Sequence, residues 1–421
     1  MSEPESPSTR GGSRESVEHP RNFGARAAAV AVASAIIDQG FIAYFAGGCV
    51  RDEILGLAPT DFDIATDATP DEIAKIFRGA RGVGESFGVM LVRWKDRVVE
   101  VATFRADGVY HDGRRPSDIR FTTAEEDAHR RDFTINGLFR HPTTGEIVDF
   151  VKGQEDLAKR VLRAIGDPVA RLREDRLRTL RAVRFVARFE LTVDPETEHA
   201  ICDAARDLVG VSRERIGGEF RRMFSHRTRA RAVQLIEKWG LDAPALGESN
   251  STGPCERVER IPDEASFGTV LAAWWLDRRG RADSVKPGEW RSTLNTSGSE
   301  WKQCGEILDI IATLEGSWEG LSTAQKKRLA ARMDFNSALS VLFGIDARRV
   351  HEIRLEVDGL ALEPGGLAPM PFLTGVDLIA LGHAPGPKFK AILEQIYDRQ
   401  LEGHVTSNEQ AVVEARTLWT P

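Results

Sequence analysis

Two aspartates one residue apart, Asp61 and Asp63, follow the segment Phe45-Ala46-Gly47-Gly48-Cys49-Val50-Arg51-Asp52. In an extended segment, side chains at i and i+2 share a face, so both carboxylates aim at one point while Phe62 faces a core. Two like charges side by side are unfavourable unless a cation neutralises them. Oxygen ligands suit a hard divalent ion such as Mg²⁺. A pair of such ions can activate an attacking hydroxyl and stabilise a leaving pyrophosphate. Backbone N–H groups at the Gly47-Gly48 turn can cradle an anion, and Arg51 adds charge-assisted bonds to phosphate. Taken singly, each signal has a plainer reading, a turn for the glycines and a solvated surface pair for the aspartates.

Three further groups bear on the same chemistry. Glu100, inside Val98-Val99-Glu100-Val101, is an acid in an apolar strand and needs a partner. It is either a third carboxylate beside the aspartates or half of a salt bridge to Arg105 or Arg51. In Arg130-Arg131-Asp132-Phe133-Thr134-Ile135-Asn136, the arginines suit phosphate and Asp132 suits a ribose hydroxyl. In Arg173 to Phe185, Asp175, Arg178 and Arg181 fall at i, i+3 and i+6 of an expected helix, roughly along one face. One reading is a salt bridge on an amphipathic helix. The other is recognition of a base. A carboxylate only accepts and a guanidinium only donates, so Asp175 and Arg178 would match cytosine or adenine and repel guanine or uracil.

The surrounding pattern predicts the elements that hold these residues. Between 24 and 150, helical and strand signals alternate. A helix is expected over 24–39, a strand over Phe41 to Ala46, and a strand carrying the aspartates over Thr60 to Ala65. Val89 to Trp94 and Arg97 to Phe104 read as a hairpin turned at Lys95-Asp96, and Asp107 to Pro116 as a polar loop. Beyond Gly153 the pattern is helical almost throughout, including Leu157 to Arg163 and one long helix over Pro168 to Ala187. Residues 246–266 read as a surface loop.

The 421 residues are 41% hydrophobic and 29% charged, which suits a globular chain of several domains, and no apolar run reaches membrane-spanning length. The polar first 22 residues read as a disordered tail without a secretory signal. Four scattered cysteines fit a reduced, cytoplasmic setting. The net charge of -7 argues weakly against nucleic acid, but it is uneven. Between Lys159 and Arg229, 17 Lys and Arg face 11 Asp and Glu. A local basic stripe matters more to a phosphate backbone than the global balance.

Together, Gly47 to Asp52 (GGCVRD), Asp61 to Asp63, Arg130 to Asn136 (RRDFTIN) and Glu174 to Phe185 (EDRLRTLRAVRF) resemble the class II tRNA nucleotidyltransferases. These are the bacterial CCA-adding enzymes and their relatives, the bacterial poly(A) polymerases. The resemblance is continuous over about residues 40–225, where Ser212 to Phe224 matches the last motif, and returns near Leu373 to Glu402. It implies an α+β fold, with a polymerase-β-type nucleotidyltransferase head (23–150) followed by an all-helical neck (151–225) and a helical body and tail (226–421). It implies metal ligation by Asp61 and Asp63, with Mg²⁺ as cofactor; Glu100 joins them as a catalytic candidate from its place in the strand alone. The implied nucleotide contacts are Gly47, Gly48, Arg51, Arg131 and Asp132, and on the neck Asp175, Arg178, Arg181 and Arg184. The implied activity is addition of CCA, or its terminal A, to tRNA 3′ ends from CTP and ATP.

The alternatives are a poly(A) polymerase and a non-catalytic RNA-binding relative. Arg81 to Leu91 looks more like the CCA branch, and the retained carboxylates speak against a non-catalytic role. The Asp107 to Pro116 segment resembles the family's flexible loop and argues against an enzyme that adds only CC.

Overall fold

The computed structural model describes residues 20–83, 88–107, 119–206, 208, 210–249, 253–280 and 289–419. The expected N-terminal tail through residue 19, the polar loop after Asp107 and residues 84–87 of the Arg81 to Leu91 segment lie outside them. The chain divides into two compact units between Val211 and Ser212.

The first unit opens with α1 (Pro20–Ile37), which starts earlier than the Ala-rich periodicity suggests. Strands β1 (Ala43–Ala46), β2 (Ile64–Thr66), β3 (Arg81–Gly82), β4 (Val89–Trp94) and β5 (Arg97–Thr103) follow. Strands β6 (Arg105–Asp107) and β7 (Ile119–Phe121) pair separately. Strands β8 (Leu138–Arg140) and β9 (Ile147–Asp149) complete one seven-stranded mixed sheet of order β3-β4-β5-β2-β1-β8-β9. The β4–β5 hairpin forms where alternation predicts it, with Lys95 in the left-handed region at the turn. Helix α1 packs against β1 and β5, and Ile36, Phe45, Val92 and Val101 are fully buried.

Helix α2 (Gly48–Ile54) leaves β1 at once through the Gly47 turn, and α3 (Pro70–Ile76) begins in a capping box between Thr69 and Glu72. Helix α4 (Ala124–His129) precedes the Arg130 to Asn136 segment. The expected strand over Thr60 to Ala65 begins only at Ile64. The register explains this: Phe45 pairs with Ile64, and beyond Ala46 the partner strand turns away at Gly47. Asp61 and Asp63 therefore precede β2 rather than ride within it. Their alternation still holds, since both are exposed while Phe62 is buried against Phe45.

The remainder of this unit is helical with one exception. Leu157 to Arg163 is not a helix. Helix α5 (Gly153–Ala158) stops, Arg160 takes a left-handed conformation, and Val161–Leu162 (β10) pairs in parallel with Thr192–Val193 (β11). The long helix expected over Pro168 to Ala187 is two helices, α6 (Pro168–Glu174) and α7 (Leu177–Phe189), and α8 (Pro195–Ala204) follows. The break falls at Asp175, whose backbone is extended and whose carboxylate accepts a hydrogen bond from the Leu177 N–H at 3.1 Å. Aspartate competes for backbone donors and favours helix starts over helix interiors, which is the signal that periodicity alone overlooks.

Gly153 is the tightest backbone approach in this unit. A Cβ there would lie 2.2 Å from the Thr134 carbonyl oxygen, main chain that cannot yield as a side-chain tip would. Gly153→Ala is expected to destabilise the protein by about 2–3 kcal/mol, read as a lower denaturation midpoint at unchanged m-value. An unchanged midpoint would show that the segment relaxes freely.

The second unit is entirely helical among its described residues. Helices α9 (Arg213–Phe224), α10 (Arg229–Lys238), α11 (Asp242–Leu246), α12 (Glu256–Arg260), α13 (Phe267–Arg279) and α14 (Glu289–Thr293) surround an aromatic core of Phe220, Phe224, Trp274, Trp275 and Trp290. The segment read as a loop over 246–266 thus holds α12. Helices α15 (Gly298–Gly316), α16 (Thr323–Ala330) and α17 (Phe335–Phe343) follow. Helix α18 (Ala347–Leu362) was not anticipated, and few of its side chains are buried. Helices α19 (Gly375–Ala380), α20 (Pro387–Leu401) and α21 (Asn408–Trp419) form a terminal cluster around Leu378, Ile392, Ile396 and Val405.

Candidate active site

The Gly47 turn is specified twice over. Its φ of 70° favours glycine, and a Cβ would lie 2.8 Å from Nη1 of Arg131. Gly47 donates its N–H to the Leu138 carbonyl, and Ala46 donates to the Asp63 carbonyl at 3.0 Å, so the turn and the acidic segment are fastened side by side. Gly48 starts α2.

Asp61 and Asp63 reach solvent on one face, and Glu100 is exposed on the neighbouring strand. Ile64 pairs with Val101, which brings Glu100 beside Asp63 in the parallel register. Of the two readings of Glu100, this position fits the third carboxylate beside the aspartates rather than the salt bridge to Arg105 or Arg51. The face carrying Glu100 is the open one, and Arg51 is engaged elsewhere. Asp63 is pushed up to about 6, by burial of its surroundings first and then by the charges of Glu100 and Asp61, while Arg131 opposes them. Among the described residues no three His, Cys, Asp or Glu side chains converge closely enough to hold one ion. The donor set is two carboxylates with a third nearby. That fits a hard divalent cation that takes its remaining ligands from water and substrate phosphate, and it relieves the repulsion at Asp63.

A raised carboxyl has a stability consequence. Asp63 holds its proton more tightly in the folded than in the unfolded chain, so metal-free stability falls as pH rises from about 4 through about 6 and stays lower above it. Asp63→Asn is expected to raise the Tm of the metal-free protein by ~1–3 °C at pH 7.5 and to change nothing at pH 4, a small effect because the carboxylate is exposed. Equal Tm values at both pH values would show that the crowding is fully screened.

The basic residues fall into two networks. Asp127, buried at the end of α4, receives Arg130 at 2.8 Å and both Nε and Nη2 of Arg131, at 3.1 and 2.9 Å. Burial pushes its carboxyl up, but the two arginines outweigh this and hold it below the usual range. Nη1 of Arg131 donates to the Asn136 carbonyl at 3.0 Å, and its guanidinium lies over Phe139. Asp132 is 7% exposed. Burial pushes it up, yet Arg181, Asn136 and the Phe133 N–H hold its carboxyl well below the usual range. The Arg181 Nε bond to Asp132 measures 2.7 Å.

Arg51 points inward rather than out to solvent. It donates to Asp52 at 2.8 and 2.6 Å and to Oδ1 of Asn136 at 2.6 Å, and lies over the rings of Phe185 and Phe189. Burial pulls its pKa below the ordinary value, although Asp52 opposes this. Its place is a brace behind the turn.

The neck residues are equally well anchored. Arg178 is buried and donates to Glu174 and to the Arg171 carbonyl, each at 2.6 Å, and to the Arg130 carbonyl at 3.4 Å. Asp175, Arg178 and Arg181 do not form one helical row, because Asp175 sits at the joint before α7. Arg184 lies over Phe185. Asp127, Glu174 and Asn136 were not singled out from the sequence. The i, i+3 and i+4 spacing of Asp127 to Arg130 and Arg131 was the available signal for the first.

A mixed sheet that presents a carboxylate pair beside a Gly-Gly turn, with an arginine-rich helix closing over Asp132, is the arrangement of a polymerase-type nucleotidyltransferase head. Residues 43–163 match the family model described as "Poly A polymerase head domain", and residues 190–246 the one described as "Probable RNA and SrmB- binding site of polymerase A". A CCA-adding enzyme of Bacillus velezensis is 37% identical over 91% of this chain and 96% of its own length. One from Bacillus subtilis is 41% identical over 49% of this chain, an alignment spanning 52% of that protein. The solved structure of the Bacillus stearothermophilus CCA-adding enzyme in complex with CTP superposes with a TM-score of 0.78 at 26% identity, covering 95% of this chain and 98% of that one. The chain belongs to the CCA-adding enzyme family.

Proposed function

We propose that this protein adds CCA to the 3′ end of tRNA, drawing on CTP and ATP and releasing pyrophosphate. The observation that carries the reading is the meeting of the Gly47–Asp52 turn, the Arg131–Asn136 segment and α7 around Asp132, beside the Asp61 and Asp63 carboxylates. Near-full-length similarity to CCA-adding enzymes supports it, as do relatives solved with CTP, with ATP and with tRNA.

In this reading Gly47 and Gly48 let the backbone approach the triphosphate, and Arg131 contributes positive charge there. Asp132, kept ionised by Arg181, accepts a hydrogen bond from a ribose hydroxyl. Asp175 and Arg178 read the base edge from fixed positions at the start of α7, with Arg184 nearby. Arg51 holds the turn from behind. Asp61 and Asp63 would hold Mg²⁺, which when bound lowers the cost of ionising the attacking 3′ hydroxyl and offsets charge on the departing pyrophosphate. Glu100 adds negative field beside Asp63. The four cysteines form no disulfide, which fits a cytoplasmic setting.

The test offers the purified protein tRNAs ending before CCA, after C and after CC, with each nucleotide separately and together. Addition of C, C and A in order, stopping after A, is the expected outcome. Extension only from the CC end would reduce the activity to A-addition, and long A tracts would replace it by polyadenylation.

A further inference from the structure

We propose that the open face of the β4–β5 hairpin seats the last nucleotide of the RNA acceptor, with Arg93 binding its phosphate, an inference resting on the CCA-adding activity given above. The direction of approach follows from in-line displacement, in which the attacking and leaving oxygens stand on opposite sides of the phosphorus. The groups assigned to the incoming nucleotide's phosphates lie to one side of the Asp61 and Asp63 segment. The Gly47 turn follows β1, and Gly47 donates to the Leu138 carbonyl of β8. Arg131 donates to the Asn136 carbonyl, just before β8. The strands run in the order β4-β5-β2-β1-β8, so the departing pyrophosphate is held on the β1 side. The attacking 3′ hydroxyl therefore arrives over β5 and β4.

That side offers a surface suited to RNA of any sequence. Glu100 pairs with Leu91, and Val98 with Arg93. Alternation puts these four on the face that carries the aspartates, while Met90, Val92, Val99 and Val101 are buried beneath it. Arg97 points the other way, against Gly24 of α1. Val98 is 53% exposed. Arg93 is exposed, and its side chain has no ion pair or hydrogen bond among the described residues. Because β2 and β5 run parallel, Val98 stands on the Asp61 side of Glu100, and Arg93 one strand further out, about 10 Å from the carboxylate pair by strand spacing. A guanidinium there meets a phosphate through charge-assisted bonds and offsets the repulsion between Glu100 and the RNA backbone. During CCA addition the acceptor ends first in a variable base and then in C. Its seat cannot depend on base-edge hydrogen bonds, and apolar contact with Val98 and Leu91 plus one phosphate contact meets that need.

The experiment measures kcat and the separate KM values for CTP and for tRNA lacking CCA, and tRNA binding across a KCl series. The variants are Arg93→Ala, Arg93→Lys, Arg93→Glu and Lys75→Ala, each with its thermal midpoint recorded. Lys75 is exposed on α3, which packs with α1 behind the hairpin, so its loss removes an equal charge from the opposite side. Arg93→Ala is expected to raise the tRNA KM about tenfold, to leave the CTP KM and the discrimination against UTP unchanged, and to lower the salt slope of tRNA binding by about one. Arg93→Lys is expected to keep most of the affinity, because lysine serves a phosphate as a point charge, and Arg93→Glu to lose more than alanine does. Lys75→Ala is expected to change nothing. An unmoved tRNA KM and salt slope in Arg93→Glu would overturn the proposal, as would an equal loss in Lys75→Ala, which would reduce the effect to net charge. A merely structural role, seen as a lower midpoint with the salt slope kept, or a shift confined to the CTP KM, would overturn it as well. Failure of the unaltered protein to add C would instead remove the CCA-adding reading, a failure seen without any variant.

Discussion

Asp61→Ala and Asp63→Ala are each expected to reduce nucleotide incorporation by about 10³-fold or more, with tRNA affinity nearly unchanged. The expectation follows from what the carboxylates are placed to do. They lie on one exposed face, and burial first, then the charges of Glu100 and Asp61, raises Asp63 to about 6. Among the described residues Arg131 opposes the charge only in part, so a bound dication is the natural counter-charge. Removing one carboxylate removes half of the protein's share of the ligands. The folding cost is small, because neither side chain is part of the core. The measurements are single-turnover incorporation on tRNA lacking CCA and tRNA binding by filter retention, across a Mg²⁺ titration. Glu100→Gln, which leaves the pair intact, is expected to lose far less, about tenfold. Near-normal turnover in both aspartate variants at low Mg²⁺ would refute the metal assignment.

The second large effect is expected on fidelity. Arg178→Ala should lower discrimination of CTP and ATP against UTP and GTP by about 10–100-fold, the worth of a good bidentate base contact. Arg178 is held by Glu174 and by the carbonyls of Arg171 and Arg130. A donor so constrained presents one hydrogen-bonding pattern and cannot re-aim toward a mismatched base. Its truncation takes one donor from the Arg171 carbonyl, while Glu174 and the Arg130 carbonyl keep Arg171, so some stability is lost. Arg178→Lys separates the effects, because lysine keeps the charge but not the planar fork. If Arg178→Lys loosens selection while its thermal midpoint stays close to that of the parent, the geometry of the guanidinium is what selects. Wild-type discrimination against UTP and GTP in both variants would exclude Arg178 from base reading.

The family and the change from a mixed head to a helical remainder were legible in the sequence because each rests on local chemistry. Asp61-Phe62-Asp63 keeps its alternation even outside a strand, since extended backbone imposes it without hydrogen-bonded partners. The β4–β5 hairpin follows from alternation and a turn residue. What the one-dimensional pattern could not carry was how groups far apart in the chain divide each other's hydrogen bonds. Arg51 looked like a phosphate ligand, yet Asn136, 85 residues away, and the rings of α7 draw it inward. Asp175 continued a helical row until its own carboxylate took the Leu177 N–H and ended the helix. Glu100 had two readings, a third carboxylate or a salt-bridge partner, and only the register of β5 against β2 set it on the open face beside Asp63. The sequence by itself determined which chemical groups are present and their local conformational leanings. The tertiary structure alone decided which of them spend their charge on one another and which are left facing substrate, because pairing depends on distances that only packing sets.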